Sequence, residues 1–317
     1  MNADLGKIAD AFTAANRILV TSHVGIDGDS AGGALALAEA GRLAGKTVRY
    51  VNAGPVPEWL SFMPGIEALS EPVGESDIFD LGIVIDTSAP ERVGRVWPRF
   101  ASMPVVVIDH HQGDGGCSKV SWIDSTAASV TVMIAELMDA LHVELTERLA
   151  TALYLGIFTD TMSFQQTNTD ARAHEVAAKL MTAGVKPYSI AMKILEEKRL
   201  ASIRLGGRAA SRAVVEDGIC WSTLLRADYE ELGATDADTE GVIGILRSVT
   251  GVRVAVLYRE QKDGMVKVNM RSKDGTDVAR VAETFGGGGH RAAAGCTVRG
   301  SVKEIHEKVM TILRAGR

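Results

Sequence analysis

The stretch PVVVIDHH at positions 104–111 decides how this chain is read. Five apolar residues run straight into one carboxylate and two imidazoles, and the chain then breaks into the polar, glycine-rich QGDGG at 112–116. A buried strand that ends in three groups costly to bury needs something to offset that cost.

Working outward, the same pattern recurs. The run RILVTS at 17–22 is followed by His23, the loop VGIDGDSAGG and a small-residue helical pattern at 34–44. TVRYVN at 47–52 reads as a second strand, and LGIVI at 81–85 as a third, ending at Asp86-Thr-Ser. These strands are continuously apolar rather than alternating, which suits a parallel sheet covered by helices on both faces. Helical patterns at 127–141, 146–157 and 170–183 supply the cover. The expectation is an α/β fold whose N-terminal domain is a doubly wound, mostly parallel sheet.

In such sheets the crevice lies beyond the carboxyl ends of the strands. That edge should gather His23, Asp27 and Asp29 from one strand end, Asp86 from another, Asp109, His110 and His111 from a third, and Asp160 from just past a helix end. Clustered carboxylates repel and would raise one another's pKa values, whereas divalent cations reverse the sign of that interaction. Oxygen and imidazole donors without thiolate suit Mn²⁺ or Mg²⁺, with imidazole tilting the choice to Mn²⁺, although Zn²⁺, Co²⁺ and Fe²⁺ accept the same donors. Six ligands exceed what one ion with an open position takes and suit two ions about 3.5–4 Å apart, the arrangement that hydrolyses phosphate esters by an activated bridging water.

Composition sets the outer limits. At 317 residues with 46% hydrophobic content, the chain has room for two domains with cores of their own. No apolar run approaches the roughly 20 residues of a membrane helix, and the N-terminus lacks a basic start followed by an apolar stretch, so a cytoplasmic protein without membrane contact is expected. Cys117, Cys220 and Cys296 are isolated, which argues against disulfides and structural zinc. The net charge of -6 is uneven: residues 1–185 hold 12 Lys/Arg against 23 Asp/Glu, and residues 186–317 hold 22 against 17. The acidic half suits cations, the basic half an anion.

Four motifs now stand in order: HVGIDGD at 23–29, VIDTS at 84–88, VIDHH at 107–111 and GIFTDTMSF at 156–164. Together they resemble the DHH phosphoesterase superfamily, with one departure, Ile26 where that family usually has proline. The resemblance implies one metal on His23, Asp27 and Asp86 and a second on Asp29, Asp86, His110 and Asp160, with Asp86 as the bridge. It also implies catalytic roles for His111, facing the substrate phosphate or leaving oxygen, and for Asp109, orienting the neighbouring imidazoles. Taken singly, a strand-terminal Asp is usually a cap and a lone His a core residue; four motifs in order make coincidence a poor account.

A helical linker is expected at 186–212, with Gly206-Gly207 as a flexible point, between a catalytic domain at 1–185 and a second domain at 213–317. Strands at 219–225, 252–258 and 265–270 and helices at 239–249, 277–285 and 302–313 make the second a smaller mixed-sheet α/β domain. Its distinctive stretch is FGGGGHRAAAG at 285–295, expected to present backbone N–H groups to an anion and then to enter a small-residue helix. With Arg271-Ser272 it resembles the substrate-binding domain that accompanies many DHH enzymes. That implies that Arg271, Ser272, Gly288, Gly289 and His290 hold the nucleotide, with the active site in a cleft between the domains.

Long polynucleotides need a basic track that this chain lacks, so short single-stranded oligonucleotides or small nucleotides are the expected partners. Among two-domain members, the chain resembles the nanoRNase/pAp phosphatases and the enzymes that degrade cyclic-di-AMP or pApA. The expected activity is hydrolysis of di- to pentanucleotides to nucleoside 5′-monophosphates. Hydrolysis of cyclic-di-AMP or of pAp is the enzymatic alternative, a nucleotide-binding sensor the non-enzymatic one. Such two-domain members are often homodimers, although no heptad or apolar stripe argues for it here.

Overall fold

Five parallel strands carry the first sheet: β1 (Arg17–Thr21), β2 (Thr47–Tyr50), β3 (Leu81–Ile85), β4 (Val105–Asp109) and β5 (Val120–Ile123). The computed structural model describes residues 3–113 and 116–315. It divides into two units, Met1–Glu196 and Glu197–Arg317.

The strand order in the first unit is β2-β1-β3-β4-β5. The direction of winding reverses between β1 and β3, so loops leaving these neighbouring strands part to opposite sides and open a crevice at their carboxyl ends. Side chains alternate across the sheet. Ile18, Val20, Ile83, Ile85, Val106 and Ile108 join the core beneath the helices Gly28–Leu43, Val130–Ala140 and Glu147–Asp160. Leu19, Val84 and Val107 face a smaller cluster with Val93 and Phe100 from the short helices Pro90–Val93 and Trp97–Phe100. Burial of each such aliphatic side chain contributes about 1.5–3 kcal/mol, and doing so on both faces explains the unbroken apolar runs.

Two glycines set how closely the helices on the first face approach. A Cβ on Gly32 would lie 2.4 Å from the Ala152 carbonyl oxygen, and one on Gly156 would lie 2.3 Å from Thr131 Oγ1 and 2.4 Å from Asp29 Oδ1. The helix Gly28–Leu43 begins well before the expected position 34, because the Asp27 side chain caps it by accepting from the Ser30 N–H at 3.0 Å. The strand β5 escaped the sequence reading. It is an edge strand in which only Trp122 is buried, so it carries no apolar run.

The second unit holds a six-stranded mixed sheet, β6 (Val214–Glu216), β7 (Ile219–Leu224), β8 (Val254–Glu260), β9 (Met265–Ser272), β10 (Gly288–His290) and β11 (Ala293–Arg299), in the order β10-β11-β9-β8-β7-β6. Only β7 and β8 pair in parallel. One face packs on the helices Val278–Glu283 and Val302–Ala315, the other, over β7 and β8, on Leu200–Ser211 and Val242–Arg247.

Two local expectations are corrected. The stretch after the glycine run does not enter a helix: Ala293–Arg299 is strand β11, paired along its length with β9, and Ala294 and Cys296 enter the core at alternate positions. Backbone pairing overrode the helical preference of three alanines. Gly206 and Gly207 are no flexible point either, since both lie inside the helix Leu200–Ser211, which belongs to the second unit.

Candidate metal centre

The crevice at the carboxyl ends of β1, β3 and β4 brings together every one of the first-unit residues expected there. His23 follows β1, Asp86 follows β3, Asp109 closes β4 with His110 and His111 behind it, and Asp160 is the last residue of the helix Glu147–Asp160 rather than just beyond it. Asp27 and Asp29 flank the first residue of the helix Gly28–Leu43.

Asp86 is the centre of the arrangement. It is 1% exposed, and its two oxygens face different neighbours. Oδ2 lies 3.2 Å from His23 Nε2, which in turn is 3.5 Å from Asp27 Oδ2. Oδ1 lies 3.3 Å from His110 Nε2, which is 3.7 Å from both Asp29 Oδ2 and Asp160 Oδ2. His111 Nδ1 stands 3.5 Å from the same Oδ1. The backbone of Asp86 is left-handed, with φ of 60°, while its N–H donates to the Ile108 carbonyl at 2.9 Å. Such a conformation costs a non-glycine residue on the order of 1 kcal/mol or more and is held only where surrounding structure enforces it.

The remaining candidate ligands are oriented by what lies behind them. Asp29, equally buried, accepts from the backbone N–H groups of Val130 at 2.6 Å and Thr131 at 3.1 Å and from Thr131 Oγ1 at 2.7 Å, at the start of the helix Val130–Ala140. His110 donates from Nδ1 to the Ala127 carbonyl at 3.3 Å, which turns Nε2 toward the three carboxylates. His111 donates from Nδ1 to Asp109 Oδ1 at 2.8 Å, and its N–H donates to the same oxygen at 3.0 Å. Asn168 Nδ2 donates to the Ala128 carbonyl at 2.8 Å and stands 3.4 Å from Asp160 Oδ2. Asn52 Nδ2 donates to the His23 carbonyl at 2.7 Å and touches Ser22 Oγ and Tyr50 Oη.

Thr131, Asn168, Asn52 and Ser30 were missed in the sequence. Asn52 had a usable signal, since it follows β2 at the same sheet edge as His23. Ser30 Oγ lies within 3.0 Å of His23 Nε2, Asp27 Oδ1 and Asp86 Oδ2, although its one proton can go to only one of the carboxylates at a time.

Burial works against a charged ring at His23, yet Asp27 and Asp86 outweigh it and raise its pKa to about 9. At His110 burial is likewise outweighed, by Asp86, Asp29 and Asp160, and the pKa rises to about 10. Burial, then the repulsion of Asp86, pushes the Asp29 carboxyl up; burial and Asp29 do the same to Asp160. Burial alone would raise Asp86 too, but the two imidazoles hold it well below the usual carboxylate range. Within the chain itself, protons do the neutralising.

Two buried atoms nevertheless make no hydrogen bond, Asp86 Oδ1 and His110 Nε2, and they face each other. Three groups have ligand atoms within 4.8 Å of one another: His23 with Asp27 and Asp86, Asp29 with His110 and Asp160, and Asp86 with His110 and His111. Oxygen and imidazole donors, orphaned at the middle and backed by hydrogen bonds at the rim, fit divalent cations.

In the second unit the expected nucleotide-binding residues also share one end of the sheet. Arg271 is the register partner of Ala293, and Ala293 of His290, whose side chain lies outside the described residues. Gly288 pairs with Gly295, and Gly289 has φ of 144°, with the Ala293 carbonyl oxygen 2.5 Å from where a Cβ would be. Ser272 is buried and donates its hydroxyl to Asp274 Oδ1 at 3.1 Å, so it braces the turn after β9.

A crevice of carboxylates and imidazoles on a doubly wound sheet, followed by a mixed-sheet domain, defines a class of metal-dependent phosphoesterases, and the chain belongs to the DHH family. The DHH family N-terminal domain matches residues 17–157, and the DHHA1 domain matches residues 218–315. Among individual proteins, the chain is 32% identical over 302 residues to the bifunctional oligoribonuclease and PAP phosphatase NrnA of Thermus thermophilus, covering 94% of this chain and 89% of that one. It is 27% identical to the protein of the same name in Bacillus subtilis, covering 89% of each. The fold matches the crystal structure of an exopolyphosphatase-related protein from Bacteroides fragilis with a TM-score of 0.92 at 22% identity, covering 99% of this chain and 96% of that one. No helix among the described residues is long and apolar enough to cross a membrane.

Proposed function

We propose that the chain is a phosphodiesterase that uses two divalent cations, Mn²⁺ foremost, to hydrolyse short oligonucleotides to nucleoside 5′-monophosphates, and that it also removes a phosphate from pAp. The observation that carries this reading is the division of Asp86, one oxygen toward His23 and Asp27, the other toward His110, Asp29 and Asp160. The two NrnA relatives carry the same pair of activities in their names.

In this reading His23, Asp27 and Asp86 hold one cation, and Asp29, Asp86, His110 and Asp160 the other. Bound cations supply positive charge to the phosphoryl oxygens and lower the pKa of water. The chain's own residues do the rest. Asp109 fixes the ring of His111 through Nδ1, and His111 faces the substrate phosphate or the leaving oxygen. Arg271 and the backbone of Gly288 and Gly289, with His290, receive the nucleotide.

The test offers purified protein pApA, pAp, cyclic-di-AMP and pyrophosphate in the presence of Mn²⁺. Release of AMP from pApA and from pAp is expected. Turnover of none of the four would leave a nucleotide-binding sensor as the better account, and undiminished turnover by Asp86→Ala would remove the metal argument.

A further inference from the structure

Hydroxyl groups reach the crevice of the first unit in two ways. Thr131 Oγ1 meets one candidate ligand, Asp29 Oδ1 at 2.7 Å, and its other side-chain neighbour is Ser129 Oγ at 2.8 Å, outside the cluster. Such a group orients a carboxylate from behind. Ser30 is placed differently. It is fully buried in the first turn of the helix Gly28–Leu43, and its Oγ lies 3.0 Å from His23 Nε2, 2.9 Å from Asp27 Oδ1 and 2.8 Å from Asp86 Oδ2. These are the same three residues that form one of the candidate metal groups.

The start of the helix fixes this placement. Asp27 Oδ1 caps the helix by accepting from the Ser30 N–H at 3.0 Å, so the Ser30 side chain leaves the backbone beside that carboxylate. As a hydrogen-bonding group with a single proton, the hydroxyl can donate to one carboxylate and accept from one imidazole N–H. That leaves one of its two carboxylate contacts, at 2.8 or 2.9 Å, with no Ser30 proton in it. Two lone pairs at that distance repel unless positive charge lies beside them. Donors on neighbouring corners of an octahedral cation with bonds of about 2.1 Å stand about 3.0 Å apart. Ser30 Oγ keeps that spacing from an atom of each of the three residues, and a hydroxyl that gives its proton to Asp27 Oδ1 still has a lone pair for a cation.

We propose that Ser30 Oγ is a ligand, together with His23, Asp27 and Asp86, of one of the two cations, a neutral oxygen donor that suits this position to oxygen-preferring ions such as Mn²⁺ or Mg²⁺. The assignment rests on the two-cation reading above and adds a residue to one of its positions. Ser30 serves the less charged position, where Asp27 and the shared Asp86 are the acids; the other has Asp29 and Asp160 beside Asp86. Coulomb attraction makes it the weaker of the two, and the loss of a donor is felt there.

The full chain, stripped of metal, is titrated with Mn²⁺ while electron paramagnetic resonance follows the free ion. Wild type takes up two ions per chain, one more tightly than the other. Ser30→Ala, which keeps the backbone bond to Asp27, weakens the looser step roughly ten- to a hundredfold and leaves the tighter one unchanged. Ser30→Cys separates a ligand from a group that acts through Asp86. Loaded with Co²⁺, it gains a thiolate-to-Co²⁺ charge-transfer band in the near ultraviolet, its thiol proton passing to the buffer. Wild type, whose Cys117, Cys220 and Cys296 are buried elsewhere, shows no such band. Two Mn²⁺ steps in Ser30→Ala equal to those of wild type, or no new band in Ser30→Cys, overturns the assignment. Uptake of fewer than two ions by wild type counts against the two-cation reading itself, whereas two wild-type steps preserved in Ser30→Ala count against Ser30 alone.

Discussion

At the scale of single residues, Asp86 concentrates strain, burial and charge in one side chain. Asparagine tolerates the left-handed backbone that Asp86 adopts, so Asp86→Asn should fold while losing the charge that both halves of the centre share. We expect kcat/KM on pApA to fall about a thousandfold or more, with metal content reduced and circular dichroism unchanged. The protons held by His23 and His110 give a second expectation. Their pKa values of about 9 and 10 lie above the ordinary 6.5. In protein stripped of metal they contribute stability that is complete below about pH 6.5 and is lost as pH rises through 9 to 10. Cations must displace these protons, so binding releases protons into weak buffer, apparent affinity rises with pH, and the gain in Tm on adding Mn²⁺ is larger at pH 9 than at pH 6.5. A gain in Tm independent of pH would contradict this.

At the scale of elements, the site depends on how tightly three helices meet. Gly156 lets the helix Glu147–Asp160 press against both Thr131 and Asp29. Gly156→Ala should cost about 1–3 kcal/mol in denaturant unfolding and also weaken metal binding, because the new methyl group would displace Asp29. Which elements were legible in the sequence follows from the same physics. β1, β3 and β4 are buried on both faces, so their apolar runs announced them, and the acids and imidazoles at their ends announced the crevice. β5 and β11 were not legible: the first buries one side chain, and the second opens with two alanines and a glycine, whose strand conformation is imposed by pairing with β9. The residues behind the candidate ligands, Thr131, Asn168 and Asn52, were invisible because single polar residues carry no period; only the assembled backbone shows that they orient Asp29, Asp160 and His23.

At the scale of the whole molecule, the proposed reading divides two tasks between two units. In that reading the first gathers negative charge for cations, and the second offers Arg271, in no ion pair among the described residues, to an anion, in keeping with the unequal charges of the two halves of the sequence. Arg271→Ala should therefore raise KM for pApA roughly tenfold or more while leaving metal content unchanged, measured by steady-state kinetics beside elemental analysis. Equal loss of metal and of substrate affinity would show that the tasks are not separate. The central claim, that Asp86 bridges a pair of cations, is met most directly by anomalous diffraction from crystals grown with Mn²⁺. The account predicts two peaks about 3.5–4 Å apart, one at each oxygen of Asp86. A single peak, or two that share no Asp86 carboxylate, would contradict it.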